Sequence, residues 1–253
     1  PNVCAVSNDL KVDDVKGWDF TSASGAIEDT NGHGTHVAGI IAADPKFGQA
    51  HGVAPKAKIL PIDFLDADGN GSISDALLAI DYANRRHAKI INASWGGSAC
   101  SEVFRQKVSD LMQSGILFIA AAGNDDINLD VYDDFPASMR LDNQITVGAS
   151  TTSDYTASFS NYGSHTVHVV APGVDIFSTF AGFSEYMTLD GTSMAAPFVS
   201  GIAALLWSTN PDIKLARIRQ AILESVDANA HPVITRGRVN AKNAYARLQE
   251  LGL

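Results

Sequence analysis

The sequence predicts an α/β fold of three layers, with a mostly parallel central sheet flanked by helices, and three observations carry the prediction. Apolar, β-branched runs recur at 58–65, 89–94, 115–122, 144–150 and 168–171. They lack a polar alternate face, which suits strands covered on both sides. Helical spacing fills gaps between these runs, and strand, helix, strand is how a chain builds parallel pairs. No internal repeat, low-complexity tract or linker divides the 253 residues, so one domain over 1–253 is expected.

The elements follow in order. VCAV, at 3–6, is apolar and β-branched enough for a first strand. KILPIDFL at 58–65 is the next. After it Ile73, Leu77, Ile80 and Asn84 fall at helical spacing, with Ser72 or Ser74 placed to cap the start. KIINAS, GILFIAAA, QITVGAS and HVVA supply the remaining strands. The chain closes in helices over 194–207, 211–226 and 240–248; in the first, Met194, Phe198, Ile202 and Leu205 share a face.

Composition excludes several function classes. With 45% hydrophobic residues the chain can bury a large core, and it does not fit a disordered class. Net charge is -10 and the basic residues are scattered, so nucleic acid is not an expected partner. There is no run of eighteen apolar residues, so no membrane partner is expected either. Starting at Pro1 without a signal-type apolar core, the chain reads as a processed or excised piece, and any targeting segment would have been lost with the missing part. Two cysteines, Cys4 and Cys100, have neither CxxC spacing nor a neighbouring His; zinc is not expected, and one disulfide or two thiols fit equally. Acids gather at Asp125, Asp126, Asp130, Asp133 and Asp134. A solvated loop is the first reading, with a cation site or an electronegative cleft rim as alternatives.

In an open parallel sheet, loops at the carboxyl ends of the strands carry function. GND at 123–125 follows one run, WGG at 95–97 follows another, and GTSMAAP at 191–197 opens the first closing helix. Ser193 stands where unpaired N–H groups and the helix dipole favour a developing negative charge. Alone it would be a helix cap; with a base it is a candidate nucleophile. Pro197 would fall in the first turn or just past it, where a missing N–H costs least. His33, between Gly32 and Gly34 at another helix start, is the candidate base. His36 lacks the i, i+4 spacing and adjacent Glu of a metallopeptidase pair, so it reads as a packed core histidine and no metal is expected. Asn124, after a strand and a glycine, suits an oxyanion donor.

NGHGTHVAG, GVAP, NASWGG, AAAGND and GTSMAAP, in that order, resemble the subtilisin-like serine peptidases from about Trp18 to the C-terminus. The resemblance implies peptide-bond hydrolysis through an acyl-enzyme. Ser193 would be the nucleophile, His33 the general base and then acid, and Asn124 with the Ser193 N–H the oxyanion hole. An extended polypeptide substrate would pair with 68–71, which holds Gly69, Asn70 and Gly71, and with 94–97, which holds Ser94, Trp95 and Gly96. The side chain before the scissile bond would enter between 94–96 and the 121–123 segment that ends in Gly123. Apolar walls there imply hydrophobic or uncharged residues, with Asp125 disfavouring acidic ones. The resemblance also implies a propeptide outside this chain and secretion or the secretory pathway. No cofactor is implied; a structural calcium is allowed but unsupported, because 44–50 lacks the asparagines often seen there.

The opening departs from the family. Its acid comes first in the order Asp, His, Ser, in Asp-Thr-Gly or Asp-Ser-Gly after an apolar strand. Neither tripeptide occurs here; 3–6 is followed by Ser7-Asn8-Asp9, as if a deletion had shortened 1–17. Asp9 is the acid candidate, while Asp13, Asp14, Asp19 and Asp29 sit in segments that are not catalytic in the family. Losing the acid costs on the order of 10⁴ in turnover and leaves roughly 10³–10⁴ over water, magnitudes known from serine peptidases. A serine endopeptidase of doubtful activity is expected; the alternative is a pseudopeptidase that binds peptides in an intact cleft.

Overall fold

The computed structural model describes residues 17–97, 101–182 and 184–252, together with the backbone of 3–7. In chain order the elements are β1 (Val3–Ser7), β2 (Trp18–Asp19), α1 (His33–Ala42), β3 (Lys58–Asp63), α2 (Ile73–Arg85), β4 (Ala88–Ala93), α3 (Glu102–Asp110), β5 (Leu117–Ala121), β6 (Gln144–Ser150), β7 (Val169–Pro172), β8 (Ile176–Thr179), β9 (Tyr186–Leu189), α4 (Thr192–Thr209), α5 (Leu215–Leu223), β10 (Asp227–Ala228), β11 (Gly237–Arg238) and α6 (Ala241–Glu250).

One sheet runs β10-β11-β7-β6-β5-β4-β1-β3-β2. β4 to β7 are parallel, as are β2 with β3 and β11 with β7. The runs without a polar face are covered twice, as expected. Along β5, Leu117, Ile119 and Ala121 pack into one core with α1, α4, α5 and α6. Phe118 and Ala120 point into a second core with α2 and α3. The two-residue period of a strand thereby divides one apolar run between two layers.

β1 differs from its neighbours. It lies in the middle of the sheet but antiparallel to β3 and β4, with Val3 opposite Ile62 and Ser7 opposite Lys58. Ser7 therefore sits at the amino ends of β3 and β4, whereas the functional loops leave their carboxyl ends. Asp9, Asp13 and Asp14 lie outside the described residues, as do Cys100 and the side chain of Cys4.

Helix boundaries follow local chemistry. Ser72 caps α2: its hydroxyl accepts from Asp75 N at 3.1 Å and donates to Asp75 Oδ2 at 2.6 Å. The helix expected over 211–226 shortens to α5 because Asn210 organises a turn first, accepting from Asp212 N at 3.0 Å and Ile213 N at 3.2 Å. Among the described residues no helix is long and apolar enough to cross a membrane, and no cluster of three His, Cys, Asp or Glu could hold a metal.

Candidate active site

Ser193 is the second residue of α4, half-buried, and its carbonyl explains much around it. The proline expected near the first turn stands inside the helix, so Pro197 cannot donate to Ser193 O four residues back. Ser94, just past β4, replaces the missing donor: its hydroxyl reaches Ser193 O at 2.8 Å. Asn92 Nδ2 donates to Ser94 Oγ at 2.9 Å, and Ser200 Oγ donates to Asn92 Oδ1 at 2.8 Å. This buried file fixes Ser94 on α4. In return Ser193 Oγ donates to Ser94 O at 3.2 Å.

Asn124 is held with one end of its amide committed. Its Oδ1 accepts from Thr192 N at 2.9 Å and Thr192 Oγ1 at 3.0 Å, while Gly123 N donates to Thr192 Oγ1 at 3.0 Å. With Oδ1 tied to the first residue of α4, Nδ2 is the uncommitted end, on the side of Gly191. A Cβ built on Gly191 would lie 3.6 Å from Ser193 N and 3.7 Å from Asn124 Nδ2, so the two donors border one small space that glycine keeps open. Two N–H donors converging beside a serine are the parts of an oxyanion hole. Behind them, Asn161 Oδ1 accepts from Asp125 N at 2.9 Å and Ile127 N at 3.1 Å, and its Nδ2 donates to Ala122 O at 3.0 Å.

His33 is the first residue of α1. Gly32 before it has φ +91°, and a side chain there would run into the Phe180 ring, which packs against the glycine. Asp29 holds the turn, accepting from Gly32 N at 2.7 Å, Thr35 N at 2.8 Å and Thr35 Oγ1 at 2.6 Å. Burial pushes the His33 imidazole down to about 4, with the Asp29 carboxylate pulling weakly upward. His36 is fully buried, with Nε2 at 3.0 Å from both Ile176 O and Met187 O. Those bonds, with Ser178 Oγ to His36 O at 2.8 Å, pin the β8–β9 hairpin to α1, and β9 leads directly into Gly191 and α4. His33 and Ser193 thus head two helices that pack together and share one bridging hairpin.

The predicted substrate segments line a cavity of about 320 Å³, with Gly69, Asn70, Gly71, Trp95 and Gly96 on its wall. Asp66 shapes the first segment: its Oδ1 accepts from Asp68 N at 3.0 Å and Asn70 N at 2.8 Å, and Gly69 takes φ +84°. Trp95 packs edge-on against Phe64 and Phe104, with ring centroids 5.4 and 5.6 Å away. Ser94 and Gly123 do not line this cavity; Ser94 faces α4, and Gly123, at φ +100°, lies against Asn161 and Asp134. The acidic run is not uniformly solvated. Asp125, Asp126 and Asp133 are exposed, but Asp130 accepts from His165 N at 3.1 Å and Thr166 Oγ1 at 2.8 Å, and Asp134 turns toward the cleft. Thr192 and Asn92 carry no signal in the sequence beyond lying inside GTSMAAP and NASWGG, and Asp134, one of the five acids for which a cleft rim is an alternative, is not set apart there from its acidic neighbours.

The Subtilase family matches residues 3–246. A thermophilic serine proteinase of Bacillus sp. (strain AK1) is 41% identical over 233 residues, which is 91% of this chain and 56% of that protein. Subtilisin DY of Bacillus licheniformis is 38% identical over 221 residues, 87% of this chain and 78% of its own. The chain thus spans little more than half of the first relative and over three quarters of the second. The crystal structure of a cold adapted subtilisin-like serine proteinase superposes with a TM-score of 0.77 at 33% identity, over 93% of this chain and 84% of that one. Motif order, the sheet that presents those motifs and a match over nearly the full length agree, and the chain belongs to the subtilase family.

Proposed function

We propose that the protein is a serine endopeptidase that cleaves polypeptides through an acyl-enzyme. The observation that carries this is the pair of donors, Asn124 Nδ2 and Ser193 N, bordering the space beside Gly191. Ser193 Oγ attacks the scissile carbonyl as the His33 imidazole takes its proton. The carbonyl oxygen becomes an oxyanion facing the two donors; collapse expels the amine, which receives the proton back, and water repeats the sequence on the ester. An extended substrate would lie between 68–71 and 94–97, with a side chain in the aromatic-lined cavity. Secretion belongs to the same reading, since relatives include an extracellular serine proteinase of Thermus sp. (strain Rt41A), 39% identical over 82% of this chain and 49% of that protein.

A second reading, a peptide-binding pseudopeptidase, is favoured by two observations. β1 runs so that Ser7 lies at the amino ends of β3 and β4, away from the functional loops, and the Ser193 hydroxyl is given to Ser94 O. A fluorophosphonate probe separates the readings. The peptidase reading expects labelling that vanishes in Ser193→Ala, and an Asn124→Ala variant slowed about 10²–10³-fold, a magnitude known from this family. Folded protein that takes no label supports the binder.

A further inference from the structure

The two backbone strips that would flank the substrate side chain before the scissile bond, 94–96 and 121–123, meet a third segment at one atom, Asp134 Oδ2. A Cβ on Gly96 would sit 3.3 Å from that oxygen, and a Cβ on Gly123 would sit 2.7 Å from it. The carboxylate thus stands where side chains at these two positions would go. Its backbone is anchored on both sides. Gly97 and Phe135 exchange hydrogen bonds at 2.8 and 2.9 Å, and Asp134 N donates to Ser138 Oγ at 3.1 Å.

No Lys or Arg among the described residues pairs with this carboxylate. Arg140 turns instead to Asp133 at 3.6 Å, Thr166 Oγ1 at 2.9 Å and Leu129 O at 3.0 Å. The other charge acting on it is Asp125, from the loop after β5, and it is of the same sign. Burial first, and then Asp125, push the Asp134 carboxyl up to about 6. In a pocket meant only for apolar side chains, such a group would be a cost without return. It turns favourable when a cation enters.

We propose that Asp134 is the specificity-determining residue of the cleft and selects polypeptides with Lys or Arg before the scissile bond. The inference rests on the peptidase reading of the cleft and replaces the preference for uncharged residues that its walls imply. A long side chain carries its charge past the glycine walls to the carboxylate, where Arg offers a planar fork and Lys a point charge. Asp125 at the rim adds attraction for the same charge.

The test uses peptides that differ only by Arg or Leu at that position, with two readouts. Wild-type protein gives kcat/KM, and Ser193→Ala gives a Kd that needs no turnover. Arg is expected to be favoured by at least about tenfold at pH 8 in both, and Asp134→Asn should shrink that ratio to roughly two- or threefold. Without any variant in the pocket, the preference for Arg over Leu in Kd should also shrink as the pH drops below about 6 and the carboxyl takes a proton. Equal affinity for the two peptides, or a ratio untouched by Asp134→Asn, overturns the proposal. If neither peptide binds Ser193→Ala, the cleft reading falls and this inference falls with it. If the wild type resists fluorophosphonate while Ser193→Ala still prefers Arg through Asp134, only the peptidase reading fails.

Discussion

At His33 the protonation state is decided before any substrate arrives. Burial, not a neighbouring carboxylate, dominates, so the imidazole stays neutral well below its ordinary 6.5. Asp29, which pulls the other way, spends its oxygens on Gly32, Asn31 and Thr35 and so positions the turn. A neutral imidazole is the form that accepts a proton from Ser193, at the expense of basicity. The acid limb of kcat/KM, which reports the free enzyme, is accordingly expected near the His33 value of about 4. A pH–rate profile checks it; a limb at or above 6.5 would contradict burial as the dominant influence on the ring.

At the scale of elements, the tie between β4 and α4 shows how a local irregularity is repaired by tertiary structure. Pro197 leaves Ser193 O without its helical donor, and Ser94 supplies one. Ser94→Ala would strand that carbonyl and Asn92 Nδ2 in a buried place, at a cost of about 1–3 kcal/mol. Urea unfolding should show the loss as a lower midpoint with an unchanged slope, and an unchanged midpoint would refute the role assigned to Ser94. The long strands were legible because double burial writes itself as an unbroken apolar run. β8 and β9 were not: four residues such as Ile176 to Thr179 are too few for a period to declare itself. α3 hid for a related reason, with Phe104 and Val108 as its only buried residues. The direction of β1 was not legible, since a strand reads alike from either end. His33, Asn124 and Ser193 stood out because they follow apolar runs or open helices. Asp134 was masked by its acidic neighbours, and only the folded chain separates the one that faces glycine from those that face water.

Across the whole molecule, buried titratable groups set the response to acid. Burial holds His33 at about 4 and His168 at about 3, below their ordinary 6.5, and lowers His36 as well. Between pH 6.5 and those values the unfolded chain binds more protons, so stability is full above 6.5 and declines as pH falls. Asp134 works oppositely: raised from 3.8 to about 6, it takes up a proton in the folded state first and offsets part of that decline. Urea midpoints are expected to drop between pH 7.5 and pH 4.5, and to drop further in Asp134→Asn; a rise on acidification would contradict the burial of these histidines. The file from Ser200 through Asn92 and Ser94 to Ser193 O crosses from the sheet to the longest helix. Hydroxyl protons so enclosed exchange slowly with solvent, and their resonances in a proton NMR spectrum would report an intact site floor in a sample that shows no activity at all.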